Sequence, residues 1–330
     1  MIKQTDYIYL YIDKIYIVNI QHLKYILEVD TQRHFAKAAE KCFVTQPTLS
    51  MMIQKLEEEL GVKIFDRSKQ PVVPTEAGEM IIKQAKIILQ EADKMKLIVD
   101  ELKGEIKGTL RLGIIPTVAP YLLPLFLNSF LKKYPLLKFK IVEFTTEQII
   151  EKLKNHQLDA GILATPLNND ALKEQPLYYE QFVVYASSNE TLMKKKYLIP
   201  NDIDINHLWL LEEGHCLRTQ ILNLCELRKK GLKTSNLEYE AGSIETLKKM
   251  VDVNNGITIL PELALNELSA KDKKSVRHFK PPVPVREISI VTYRHFEKQR
   301  VIDVLKEVIC NSVPKEMLSV KRKQVAKIEV

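Results

Sequence analysis

A chain of 330 residues, 45% hydrophobic and 28% charged, carries enough apolar content to fold as two or three domains. Its opening, MIKQTDYIYLYIDKIYIV, is too short and too charged to span a bilayer and lacks a signal-peptide layout, so the chain reads as cytoplasmic. Four cysteines in a reducing compartment argue against a structural disulfide framework and leave buried thiol, metal ligand or redox group as their roles, while a net charge of +7 permits contact with nucleic acid without proving it.

Residues 1–17 precede the first regular pattern and form an extension. From 18 to 75 three helical stripes follow one another. Ile20, Leu23, Ile26 and Leu27 mark the first, and Phe35, Ala38, Ala39 and Cys42 the second, where paired alanines let helices approach closely. Thr45 is an N-cap with Pro47 in the first turn of the third, whose buried stripe is Leu49, Ile53, Leu56 and Leu60 and whose end is Gly61. The opposite face of that helix carries Pro47, Met51 and Gln54, flanked by Thr48, Ser50 and Lys55. KIFDRSKQPVVPT then reads as two short strands joined by a basic turn. Periodicity alone fits either a small helical bundle or a winged helix-turn-helix whose third helix enters the major groove of DNA.

The stretch VTQPTLSMMIQKLEEELGVKIFDRSKQPVVPTEAG resembles the DNA-binding signature of LysR-type transcriptional regulators. The resemblance implies that Gln46, Pro47, Thr48, Ser50 and Gln54 lie at the DNA, with Arg67 and Lys69 in the wing. It also implies a promoter-binding oligomer, dimeric and by family likeness tetrameric, that works with RNA polymerase. Members of the family usually begin just before the first helix, so residues 1–17 have no counterpart.

A long helix over 76–105 comes next, capped by Thr75 with Glu76 in its first turn. Along it Ile81, Ala85, Ile88, Ala92, Met95, Val99 and Leu102 alternate steps of four and three, a heptad seam that predicts pairing with a partner helix. Packing on its own domain is the alternative reading of the same pattern.

Beyond Gly108 the pattern turns to α/β. TLRLGIIP, KFKIVEF and LDAGILATP read as strands alternating with the helices YLLPLFLNSFLKKY and TEQIIEKLKNHQ, and a second unit runs from LWLLEEGHCLRTQILNLCEL to SIETLKKMVDVNNGITILP. This predicts a two-lobed regulatory domain over 106–313 on a mostly parallel sheet, of the periplasmic-binding-protein kind. Lobe I spans about 108–184 plus a 265–313 crossover, and lobe II about 185–264, with VVYASSNE and a return strand near SIVTY carrying the crossovers. Residues 314–330, ending KRKQVAKIEV, read as a solvated basic tail. No phosphate loop or metal-ligand cluster has recognisable spacing, so neither cofactor nor metal is expected.

Within GHCLRTQILNLC, Cys216 opens a helix or tight turn where unpaired N–H groups favour a thiolate, beside His215 and Arg218. Cys225 sits among Leu222, Leu224 and Leu227, where apolar surroundings keep a thiol neutral. Two unconnected core cysteines, a zinc site with His215, and a redox pair all remain open on these grounds. Cys42 and Cys310 lie on amphipathic stripes and read as packing.

EEGHCLRTQILNLC and GIIPTVAPYLLP are similar to the OxyR-type hydrogen peroxide sensors within the LysR family, a likeness extending over about 18–313. The resemblance implies that Cys216 is peroxidatic and Cys225 resolving, joined by a reversible disulfide, with Thr117 holding the peroxide and His215, Arg218 and Gln220 shaping the pocket. Thr146 is a weaker candidate beside the capping box of Thr145 and Gln148. Thr219, Glu238 and Glu240 depart from the pattern. The expected function is a non-enzymatic regulator of antioxidant genes switched by peroxide; the alternatives are a sensor of a small organic acid in the inter-lobe cleft, and a thiol peroxidase.

Overall fold

The computed structural model describes residues 18–102, 106–225, 241–294, 299–320 and 323–326; the expected extension over 1–17, together with Glu238 and Glu240, lies outside the described residues. The chain divides between Val99 and Asp100 into two compact units.

In the first unit, α1 (Ile20–Gln32), α2 (Phe35–Lys41) and α3 (Gln46–Leu60) surround Leu23, Ile26, Val29, Ala38, Ala39, Leu49, Ile53 and Leu56. The two alanines are buried, which allows α2 its close approach. Thr45 caps α3 by accepting from the Thr48 N–H, Pro47 occupies the first turn, and Gly61 ends the helix at φ 70°. Strands β1 (Phe65–Asp66) and β2 (Val73–Pro74) pair antiparallel as the wing. The long helix α4 (Glu76–Leu102) starts on a Thr75 cap, with Gly78 seated so closely on the wing that a Cβ there would collide with the carbonyl of Ile64.

The second unit runs β3 (Gly108–Ile114), α5 (Ala119–Lys133), β4 (Leu137–Glu143), α6 (Thr146–Lys154), β5 (Ala160–Thr165), β6 (Leu172–Ala186) and β7 (Tyr197–Leu198). It continues through α7 (Cys216–Leu224), α8 (Ile244–Asn254), β8 (Ile257–Pro261), β9 (Val276–Phe279), β10 (Val283–Tyr293), α9 (Gln299–Ser312) and β11 (Lys323–Val325). The strand order is β4-β3-β5-β10-β6-β9-β7, with β8 on β6 and β11 on β10.

The structure differs from four expectations. The sheet is mixed rather than mostly parallel: β3, β4 and β5 are parallel, but β10 lies antiparallel to both β5 and β6 because it returns from the second lobe. The crossovers are β6 and β10 in full, longer than the segments VVYASSNE and SIVTY. One end of β6 pairs with β10 while Phe182–Ala186 pairs with β8, and Val183–Tyr185 also pairs with β9. Lobe II therefore continues through β9 and does not end near residue 264. The end of the chain is not simply a solvated run: β11 adds in parallel to Val283–Val285, and Met317 and Ala326 are buried. The apolar pair Val325 and Ala326 gives those residues something to bury, and the strand satisfies backbone groups of β10. No described helix is long and apolar enough to cross a membrane.

Candidate thiol site and nucleic-acid interface

Cys216 is the first residue of α7, 8% exposed, with His215 at the N-cap position. The side chain of His215 caps nothing; it is buried with Nε2 3.5 Å from Glu212 Oε1. The direct partner of the Cys216 sulfur is Thr146, whose Oγ1 hydrogen-bonds Sγ. Thr146 is available because the capping box belongs to its neighbour: Thr145 Oγ1 accepts from Gln148 N–H, and Gln148 Oε1 accepts from Thr145 N–H. The residue expected to matter less thus makes the closer contact.

Thr117, in the turn after β3, is buried and its Oγ1 accepts from Arg286 Nη1 at 3.1 Å, while its carbonyl accepts from Nη2 at 3.0 Å. Arg286 on β10 is itself 1% exposed and is held by Glu180 on β6, whose Oε2 accepts from Nε at 2.8 Å and whose Oε1 accepts from the Leu263 N–H. Arg286 and Glu180 were not legible as site residues: 169 positions separate Arg286 from Thr117, and nothing local marks either as buried.

These surroundings correct the expectation of a favoured thiolate. Burial pushes the Cys216 thiol above its ordinary value, and Glu147 adds to the rise; the Thr146 hydrogen bond and the Arg286 charge pull it down without overcoming the desolvation. The resting group is a protonated thiol with a buried cation in its field.

Arg218, expected to shape the pocket, spends Nη1 on the Leu211 carbonyl at 2.7 Å and so holds the approach to the helix. Gln220 lies one turn after Cys216 on the same face, fully buried, and neither amide atom finds a partner among the described residues. Cys225 is the C-cap of α7 and 1% exposed. No disulfide joins the four cysteines, and Cys42 and Cys310 pack against the two cores, Cys310 Sγ reaching the Leu177 carbonyl. Among the described residues no cluster of His, Cys, Asp or Glu could hold a metal.

On the first unit, Gln46, Pro47 and Gln54 are exposed along α3, and Thr48 and Ser50 are half-buried. Thr48 Oγ1 pairs with Thr45 Oγ1 at 2.8 Å. Arg67 is less available than its place in the wing suggests: Nη1 donates to Ser50 Oγ at 3.0 Å, Nη2 reaches Glu57 Oε2 at 3.4 Å, and the guanidinium stacks 4.9 Å over the Phe35 ring. Glu57, 2% exposed, also accepts from the Ile64 and Phe65 N–H groups, tying α3 to the wing. Its signal was an acid on the apolar side of α3. Lys69 is exposed, 3.8 Å from Asp66.

The heptad seam divides. Ala85 is buried in the core of its own unit, and half-buried Ile81 packs against that core. Ile88 and Met95 are exposed by 38% and 62%, and Ala92 is half-buried. The side chains of Val99 and Leu102 lie outside the described residues.

A winged helix-turn-helix followed by a long helix and a two-lobed α/β module defines a DNA-binding regulator with a sensing domain. Two family descriptions match in the same order: "Bacterial regulatory helix-turn-helix protein, lysR family" over residues 20–79 and "LysR substrate binding domain" over 103–311. The chain belongs to the LysR family, a family of transcriptional regulators rather than enzymes. It is 36% identical over 275 residues to the hydrogen peroxide-inducible genes activator of Haemophilus influenzae, spanning 83% of this chain and 90% of that protein. It is 34% identical over 274 residues to the DNA-binding transcriptional dual regulator OxyR of Escherichia coli, spanning 83% and 89%. Among solved structures, a full-length OxyR variant from Pseudomonas aeruginosa superposes with TM-score 0.70 at 33% identity, covering 89% of this chain and 98% of that one. A hydrogen peroxide-bound OxyR variant from Corynebacterium glutamicum gives 0.58 at 28% identity, covering 89% and 92%.

Proposed function

We propose that the protein is a promoter-binding regulator that senses hydrogen peroxide at Cys216 and stores the signal as a Cys216–Cys225 disulfide. The observation that carries this is the Thr146–Cys216–Arg286 arrangement: a buried thiol bonded to a hydroxyl and placed in the field of a buried guanidinium. Sulfur attacks one peroxide oxygen, the O–O bond breaks, and the departing hydroxide takes up the thiol proton, leaving Cys216–SOH and water. Thr146 stabilises the sulfur as it loses its proton, and Thr117, whose oxygen already accepts from Arg286, keeps its O–H to donate to peroxide. Arg286 offsets the negative charge that builds on the oxygens. Cys225 thiol then displaces water from the sulfenic acid, forming the disulfide.

The OxyR names of the relatives support this reading. A small organic acid as the signal leaves the paired cysteines without a role. Promoter duplex DNA is read by Gln46, Pro47, Thr48, Ser50 and Gln54, with Lys69 on phosphate, and a second copy of the chain pairs through Ile88, Ala92 and Met95. Dimers assemble further into tetramers, RNA polymerase is the downstream partner, and the protein works in the cytoplasm. Peptide mapping after stoichiometric peroxide tests the chemistry: a Cys216–Cys225 linked peptide is expected in the wild type and none in Cys216→Ser. A wild type in which both thiols stay alkylatable overturns it.

A further inference from the structure

Phe43 lies in the turn between α2 and α3, is 95% exposed and has φ 56°, the left-handed region. Its backbone closes α2, with the Phe43 N–H bonded to the Glu40 carbonyl and the Val44 N–H to the Ala39 carbonyl, a helix end at which glycine is the favoured residue. A bulky side chain there is disfavoured by its backbone and gains nothing from burial. Single exposed apolar residues are ordinary on protein surfaces; one that is also held in a left-handed conformation is not accounted for by the fold. Phe43 stands two residues before the N-cap Thr45, its Cα within about 8 Å of that of the cap by chain geometry, and Lys41, Gln46 and Pro47, within four residues of it in the chain, are exposed.

We propose that Phe43 is a specificity-determining DNA contact that packs its ring on a thymine methyl in the major groove. The proposal rests on the promoter-binding reading above. Three features favour duplex DNA as the occupant: Phe43 lies two residues before the N-cap of α3, exposed Lys41 lies two residues before it in the chain, and of the four bases only thymine offers an apolar group in that groove. Sequence periodicity misses the residue because it lies in a turn and on no stripe.

The test uses the full-length protein and a duplex enriched from a random-sequence library by the wild-type chain. Phe43→Ala is expected to weaken binding to that duplex about tenfold, a change within the range of base-edge contacts. Replacing thymines singly by uracil, which lacks the methyl, is expected to reveal one position where wild type loses a comparable factor and Phe43→Ala loses nothing further. Phe43→Gly is expected to bind as weakly while its Tm rises, because glycine relieves the backbone. Equal affinity of Phe43→Ala and wild type, a Tm that falls in Phe43→Gly, or loss of the dimer in sedimentation each overturns the contact while leaving DNA binding intact. Failure of the wild type to enrich any duplex overturns the promoter-binding reading itself.

Discussion

At Cys216 the competition is between desolvation, which keeps the proton on sulfur, and two local groups that favour its departure. Because the pKa is raised, the thiolate fraction at neutral pH is small and grows as pH rises, so iodoacetamide labelling of Cys216 in the native protein is expected to accelerate through the mildly alkaline range. Labelling that is flat with pH would contradict a raised thiol. Thr146→Val removes a hydrogen bond to the reacting sulfur and should slow oxidation by peroxide about fivefold, the kinetic equivalent of roughly 1 kcal/mol. Stopped-flow rates decide it. In the wing, Lys69→Ala should lower the slope of log affinity against log salt by about one, as for a lost phosphate contact. Arg67→Ala should also alter sequence preference, because Ser50 loses the donor that orients it. Quantitative binding to wild-type and base-substituted duplexes separates the two. The Thr45 cap and the helix that opens at Cys216 were legible because their signals are local, whereas the pairing of Cys216 with Cys225 came only from the family resemblance. Arg286 and Glu180 meet across 106 positions on two crossover strands, and no short-range pattern announces such a pair.

At the scale of elements, α7 is the part that has to change. The cysteines lie nine positions apart, and along a helix this is roughly 13 Å and a rotation to the opposite face, whereas a disulfide needs Cα atoms within about 7 Å. On the proposed disulfide the helix has to unwind, which would draw Leu217 and Ile221 from the core, where they are 1% and 3% exposed, and shift the adjoining surface. Peroxide should increase amide exchange across 214–225 in the wild type and leave it unchanged in Cys216→Ser. Cys225→Ser should instead accumulate a sulfenic acid that dimedone traps. In α4, Ile88→Glu places a charge on the exposed part of the seam and should abolish the dimer in sedimentation. Heptad spacing made the seam legible but could not divide it: the same period places Ala85 against the wing domain and Ile88 toward solvent, and only tertiary packing separates the two uses.

For the whole molecule, the expected layout of a DNA-reading unit, a long helix and a two-lobed α/β module matches the structure because each part has its own periodicity. The antiparallel return of β10, the extent of lobe II and the pairing of β11 were not legible, since each depends on which strand edges remain open after the rest has folded. The two lobes share β6 and β10, and Arg286 and Glu180 stand on those strands, so the charge that acts on the Cys216 thiol comes from a strand that both lobes share. We predict that the state of one thiol pair sets the state of the molecule on DNA. It is tested most directly by titrating the wild-type protein with peroxide, quantifying the Cys216–Cys225 disulfide by thiol trapping, and footprinting an enriched duplex on the same samples. A footprint that changes in proportion to the disulfide, and in neither cysteine variant, is the predicted result; a footprint that stays constant while the disulfide forms to completion would contradict it.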